Sequence, residues 1–253
     1  MHQPTPPAPG SGTFRADVEH GGIQFAVPLI MLAAGILTFV LIDRLVLHPV
    51  LGGGPGSDLR PFLRLVLSIV LAVSIGGGAE ALLKRWWSSG RYLKLDPQGL
   101  IVQNKEQPPM RIDWDRRVNI LRWRYSMQGY PRGGRERRVP TGHYLLACRL
   151  LQDDTVVIIH SFMPPNRAES VPNLTRYAVI EIATLFKGGL LNRMSYPDRP
   201  SIPADLLSGK QGQVWAAERE RWVTGMELEP KAFVALTQVL EQRLPATLSQ
   251  PAA

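Results

Sequence analysis

The residues best suited to chemistry are cationic. Arg132, Arg135, Arg137 and Arg138 crowd seven residues around a lone Glu136, and Arg116, Arg117, Arg122 and Arg124 lie on or beside the stretch leading into them. Guanidinium groups gathered this way bind anions, and each cation held near an anionic leaflet is worth about 1 kcal/mol. Two plainer uses compete. The run can be a solvated loop that keeps a domain soluble, or, because Trp123 and Tyr125 interleave with the arginines, a surface for nucleic acid. The last has the least support, and the candidate contacts to anionic lipid or a partner are Arg132, Arg135, Arg137, Arg138, Arg122 and Arg124.

Reaction chemistry finds little footing. Cys148 lies between His143 and His160 in sequence, which would allow a thiol and an imidazole on neighbouring strands. Cys148 sits inside the apolar run YLLACRLL, however, which favours a buried structural cysteine. Asp113 and Asp115 flank Trp114, but arginines at 111, 116 and 117 make surface ion pairs the better expectation. No phosphate-binding Gly-x4-Gly-Lys-Ser/Thr loop and no Gly-x-Ser-x-Gly elbow occurs, and the five histidines lack metal-ligand spacing. The expectation is a chain with no catalytic residues, no cofactor and no metal.

The elements that would position these arginines begin in a membrane. Ile23–Ile42 reads IQFAVPLIMLAAGILTFVLI, about twenty uncharged residues of which twelve are Leu, Ile, Val or Phe. That is the length of a bilayer-crossing helix, and no polar stripe marks a soluble one. A second run, Phe62–Leu83, holds twelve more such residues and carries Arg64 and Glu80 near its ends, where long side chains snorkel. Lys84, Arg85, Trp86 and Trp87 follow as an interfacial anchor. Small residues, Ala33–Gly35 in one run and Ala72 and Gly76–Gly78 in the other, suit close contact in a helical hairpin, although Gly76–Gly78 can equally bend or end the second helix. Residues 1–22, rich in Pro and Gly, read as a disordered leader, and with neither a basic n-region nor a cleavage site the first run is expected to stay as an anchor. Arg44, Arg60 and Arg64 stand between the runs, against Arg15, Lys84, Arg85, Arg91 and Lys94 outside them. This imbalance puts both flanks in the cytoplasm. A net charge of +8 and a lone cysteine among 253 residues agree with a reducing compartment beside an anionic surface.

From Arg91 the pattern turns to period two. Tyr92–Asp96 and Leu100–Asn104 read as a hairpin, Met110–Asp115 and Val118–Met127 as further strands, and Tyr144–Leu151 with Thr155–Phe162 as a second hairpin. Ile112 and Trp114 would share a core-facing side of their strand. Gly129–Gly142 is a loop by composition. Asn173–Phe186 favours helix with strand as the alternative, and Leu190–Gly212 reads as irregular. Gln213–Val223 favours helix with Trp215, Arg219 and Trp222 on one side. Pro230–Leu244 is a helix with Pro at its start and Phe233, Leu236, Leu240 and Leu244 as its stripe.

This order resembles the bacterial membrane-anchored PH-like proteins of the YcxB type. The likeness is carried by the span hairpin, RYLKLDPQGLIVQN at Arg91–Asn104 and MRIDWDRRVNI at Met110–Ile120, and covers about residues 23–162. It implies a small barrel capped by a helix and without catalytic residues, and the long segment between Phe162 and Pro230 departs from it. The expected fold is α+β: a leader (1–22), a transmembrane hairpin (23–87, spans about 23–42 and 62–83), an antiparallel β-barrel or sandwich, PH-like, with C-terminal helices (91–244, insertion at about 163–229), and a tail (245–253). The expected role is a non-enzymatic adaptor or regulatory subunit of the inner (cytoplasmic) membrane, its soluble domain cytoplasmic, with lipid and an unidentified protein as partners. The alternatives are an anionic headgroup sensor and, behind it, a membrane enzyme with its site in the insertion.

Overall fold

The computed structural model describes residues 12–18, 21–47, 59–105, 107–128, 139–186 and 201–244. The chain divides into two compact units, Val18–Ser89 and the residues on either side of it.

The first unit is helical. Helix α1 covers Gly21–Ile42 and runs into a π-helical turn, Asp43–Leu47, and α2 covers Arg60–Trp86. Both are long and apolar enough to cross a membrane. Neither behaves as a core helix of this chain, since Leu32, Ile36 and Phe62 are each more than half exposed. Their hydroxyls are spent on the helix itself, as an apolar medium demands: Thr38 donates to the Ala34 carbonyl at 2.7 Å and Ser74 to Val70 at 2.8 Å. Gly76 lies against Met31, where a Cβ would come within 2.2 Å of Met31 Cγ, whereas Gly77 and Gly78 have nothing within 4 Å. The helix runs on through all three glycines to Trp86. One of them admits the neighbouring helix.

The second unit is built from two sheets. Strands β1 (Gly12–Arg15), β2 (Arg91–Leu95), β3 (Gly99–Asn104) and β4 (Met110–Asp113) form the first in that order, all antiparallel. The residues 12–15, expected in a disordered leader, are therefore an edge strand, with Thr13 opposite Lys94 and Phe14 opposite Leu93. At the β2–β3 turn the Asp96 carboxylate accepts from the Gln98 and Gly99 amides at 2.8 and 2.7 Å, and the Gln98 amide above all holds that carboxyl below its usual range. Gly99 is required there, because a Cβ would meet the Ile112 carbonyl at 2.3 Å.

The second sheet has β5 (Asn119–Ser126), β6 (Tyr144–Gln152) and β7 (Thr155–Met163) antiparallel at its centre. Two-residue parallel strands, β8 (Ala178–Val179) and β9 (Met226–Glu227), flank them. Among the described residues the sheets do not close into a barrel. They are joined at two places instead. Ala16 bridges Leu228, and the Gln152 side-chain amide stands in for a strand, accepting from Asp113 N and donating to Asp113 O at 2.9 Å each.

Alternation along the central strands creates two cores. Leu146, Cys148 and Leu150 face Leu93, Leu100, Val102 and Ile112 of the first sheet, together with Phe233, Leu236 and Leu240 of the closing helix α6 (Pro230–Arg243). For numbering, α3 is Pro165–Ala168 and α4 is Ala204–Ser208. Leu145, Ala147, Ile158 and Phe162 face the other way, toward Val214, Trp215, Ala217 and Trp222 of α5 (Gly212–Thr224). The segment 163–229 is thus more than an insertion, because α5 supplies the layer that covers the sheet's second face. Continuous apolar runs such as YLLAC are the mark of a strand buried on both faces.

Two further expectations are corrected. Asn173–Phe186 is not one helix but a 3-10 turn (Leu174–Arg176), β8, and another 3-10 turn (Ile182–Phe186). Asn173 takes a left-handed φ of 53°, and β-branched Val179, Ile180 and Ile182 run along the β5 edge with Ile180 and Ile182 buried. Trp114 leaves the strand: β4 ends at Asp113, and the half-buried indole rests on the first core's rim, its Nε1 donating to Asp96 O at 3.3 Å. Trp123 is the fully buried indole.

These positions predict unequal losses. Trp123→Ala should cost about 3–5 kcal/mol, as for a large-to-small change in a core, and Trp114→Ala about 1–2 kcal/mol, as for partial burial. Thermal unfolding of the detergent-solubilised full chain measures both, and equal losses would contradict the assignment of the two faces.

Candidate functional site

Several buried or half-buried charge clusters organise the second unit, and three of them join segments far apart in sequence. The first forms because α5 turns Glu218 inward at i−3 to Arg221 and i−4 to Trp222. Glu218 is wholly buried. Its Oε1 accepts from Tyr125 Oη at 3.0 Å, Arg221 Nη2 at 2.8 Å and Trp222 Nε1 at 2.9 Å, and its Oε2 from Trp123 Nε1 at 2.8 Å and Arg221 Nε at 2.9 Å. Arg221 Nη2 also donates to Tyr125 Oη at 3.1 Å. Five donors surround one carboxylate, so a group cut off from water keeps its hydrogen bonds. The expected face of α5 is rotated accordingly: Trp215 and Trp222 are buried, but Arg219 is exposed and Glu218 takes the inner position.

The second cluster lies where β1 ends and β2 begins. Arg91 Nη1 donates to Asp17 Oδ2 in a close ion pair and to Gly225 O at 3.2 Å, and Nη2 donates to Thr224 O at 2.8 Å. Asp17 N donates to Glu227 O at 2.8 Å, and Asp17 Oδ1 accepts from Glu227 N at 3.2 Å. One pair therefore fastens the strand before the helices, the strand after them and the end of α5. Asp17 holds a left-handed φ of 50° to do so.

The third cluster underlies α6. Arg122 Nη2 pairs closely with Glu241 Oε1, and Asn173 Nδ2 donates to Glu241 Oε2 at 2.7 Å. Cys148 and Tyr177 are buried beside them, and desolvation pushes the thiol up to about 11 and the phenol upward as well. Both stay protonated at neutral pH, so Cys148 is a structural thiol. His160 lies opposite Ala147 in register, and Ala147 faces the second core while Cys148 faces the first. His160 therefore shares the face of Ala147 and is turned away from Cys148.

The arginine candidates separate on this geometry. Arg122 is 8% exposed and committed to Glu241, so it belongs to the interior rather than to a surface patch. Arg124 is half-buried on β5, where its carbonyl accepts from Ile180 N at 3.1 Å. Arg132, Arg135, Arg137 and Arg138 lie outside the described residues. Lys84 pairs with Glu80 at 3.0 Å in the last turns of α2, Arg85 stands in the last turn, and Trp86 and Trp87 are exposed there, 80% and 46%. Arg111 bonds Asp113 at 2.5 Å and lies 3.6 Å from Asp96, an exposed ion-pair group. Among the described residues no group of three or more His, Cys, Asp or Glu converges as metal ligands would.

Sequence reasoning missed Glu218, Asp17 and Glu241. Only the spacing of Glu218, Arg221 and Trp222 on one helical face offered a signal. The Glu218 cluster predicts that Glu218→Gln, which keeps the shape but removes the charge facing Arg221, costs about 3–5 kcal/mol, the scale for breaking a buried pair. Denaturant unfolding of the full chain in detergent measures it. A loss below about 0.5 kcal/mol, an ordinary surface value, would contradict the described burial.

Comparison with protein-family models, with characterised proteins and with solved structures gives no match.

Proposed function

We propose that the chain is an inner-membrane protein whose α1 and α2 cross the bilayer as a hairpin and whose soluble unit is a PH-like domain acting as a non-enzymatic adaptor or regulatory subunit. The observation that carries this reading is the pairing of β1 with β2 across the whole helical unit. Two crossings return the chain to the side it left, which is what two neighbouring strands of one sheet require. An even number of spans and a shared sheet support each other.

The PH-like part rests on count and order. After the hairpin, a run of antiparallel strands and a closing helix on the first core agree with the sequence of elements that the resemblance implies. The additions are a strand before the hairpin and the α5 layer. An adaptor role is favoured over a reaction because the charge clusters of the soluble unit are closed on themselves: Glu218, Asp17 and Glu241 are all committed to partners within the fold. A headgroup-sensing role remains the second reading, carried by the four arginines between β5 and β6. The positive-inside imbalance puts the domain in the cytoplasm.

Topology reporters and a pull-down test the proposal together. Reporters placed before Gly12 and after Pro245 should both be active inside the cell, and one at Gly54 outside. The full chain extracted in mild detergent should retain a protein partner in stoichiometric amount. Flanking reporters on opposite sides would break the two-span reading. A chain that purifies alone yet loses membrane-associated anionic lipid when Arg132, Arg135, Arg137 and Arg138 become Gln would replace the adaptor with the sensor.

A further inference from the structure

Residues 12–17 are held on both of their edges. One edge runs along β2, from Gly12 opposite Leu95 to Arg15 opposite Tyr92, and ends with Ala16 N donating to Arg91 O at 3.0 Å. The other meets β9 and the residue after it, where Asp17 N donates to Glu227 O at 2.8 Å and Ala16 bridges Leu228. The segment is therefore a strap across the seam between the two sheets, and all of it belongs to the second unit.

The strap fills space and balances charge. Ala16 is fully buried in the first core, and Phe14 packs against that core. The Asp17 carboxylate lies on Arg91, whose side chain is only 10% exposed and also donates to Thr224 O and Gly225 O at the end of α5. Without the strap, β2 becomes an open edge, the core loses a residue, and a buried guanidinium loses a carboxylate. The end of α5 then hangs on a weakened group.

Chain length decides when the strap can be in place. Asp17 stands four residues before Gly21, where α1 begins, a reach of at most about 14 Å. Arg91 stands five residues after Trp86, where α2 ends, a reach of about 18 Å. Each falls well short of the roughly 30 Å of bilayer hydrocarbon, which would in any case not admit a strand with unpaired backbone.

We propose that the strap makes completion of the second unit conditional on an even number of membrane crossings. A chain that has crossed and returned closes the seam, whereas one that has crossed without returning leaves it open and frees the end of α5. The proposal rests on α1 and α2 being spans, and is independent of what the second unit binds.

The test changes the parity of crossings in the full chain. One Leu/Ala helix of about twenty residues, inserted at Gly54, makes three crossings, and two such helices in tandem make four. Trypsin is added to membranes permeabilised so that both sides are reached, and cutting at Arg221 is timed, because that residue is 4% exposed and is reached only when α5 comes away. One insert should speed cutting by about tenfold or more, and two should restore the parent rate. A synthetic peptide of residues 10–18 should slow the cutting of the one-insert chain. Asp17→Asn, which keeps two crossings, should speed cutting in the same direction. Equal rates with one insert and with none overturn the proposal, as does a two-insert chain cut as fast as the one-insert chain. Release of the parent chain from membranes by alkaline carbonate would instead remove the span reading, and the proposal with it.

Discussion

The structure depends on the closure of one sheet across the helical unit. β1 donates and accepts along β2, and Arg91 bonds Asp17 across a separation of 74 residues. Closing a flexible loop of that length would cost roughly 4 kcal/mol in chain entropy. Within it α1 and α2 pack antiparallel through Gly76 on Met31 and Gly35 on Ala72. The ion pair then adds carbonyls from the end of α5, so the first sheet and the α5 layer meet at one group.

The second sheet explains why the second unit needs its long C-terminal third. A sheet with Leu145, Ala147, Ile158 and Phe162 on its outer face exposes too much apolar surface to stand alone. α5 covers it with Trp215 and Trp222, and Glu218 fixes the register of that cover. Sliding α5 by one residue would take the carboxylate from two indoles, a phenol and a guanidinium at once. Buried charge of this kind adds little net stability over an apolar packing, but it discriminates sharply against wrong registers.

Much of this was legible in the sequence, and what was not has a common cause. Local patterns survived: both apolar helices, the two long hairpins and α6 with Phe233, Leu236 and Leu240 inward follow period and length. β1 was missed because Gly-Thr-Phe-Arg has little pattern of its own and becomes a strand through Leu93 and Leu95, some eighty residues on. Arg122 read as part of a basic surface until Glu241, 119 residues away, was seen to bury it. Trp114 was placed in a core by alternation that stops one residue earlier, at Asp113. In YLLACRLL the run of apolar residues was visible, but its meaning, burial on both faces, appears only once α5 is in place. Long-range partners, not local propensity, decided each of these.

The central claim is that the segment before the first helix is a strand of the domain that follows the second. Thr13 and Lys94 lie directly opposite and point away from the core, at the alternate position to the hydrogen-bonded Ala16 and Arg91, where Cα atoms approach to about 4.5 Å and a disulfide fits. The measurement is oxidative cross-linking of Thr13→Cys with Lys94→Cys in native membranes, beside a control pairing Thr13→Cys with Gln103→Cys one strand further on. Buried Cys148 stays silent in both. Rapid, near-complete closure of the first pair and none of the second is the predicted result, whereas no closure, or equal closure of both, would contradict the account.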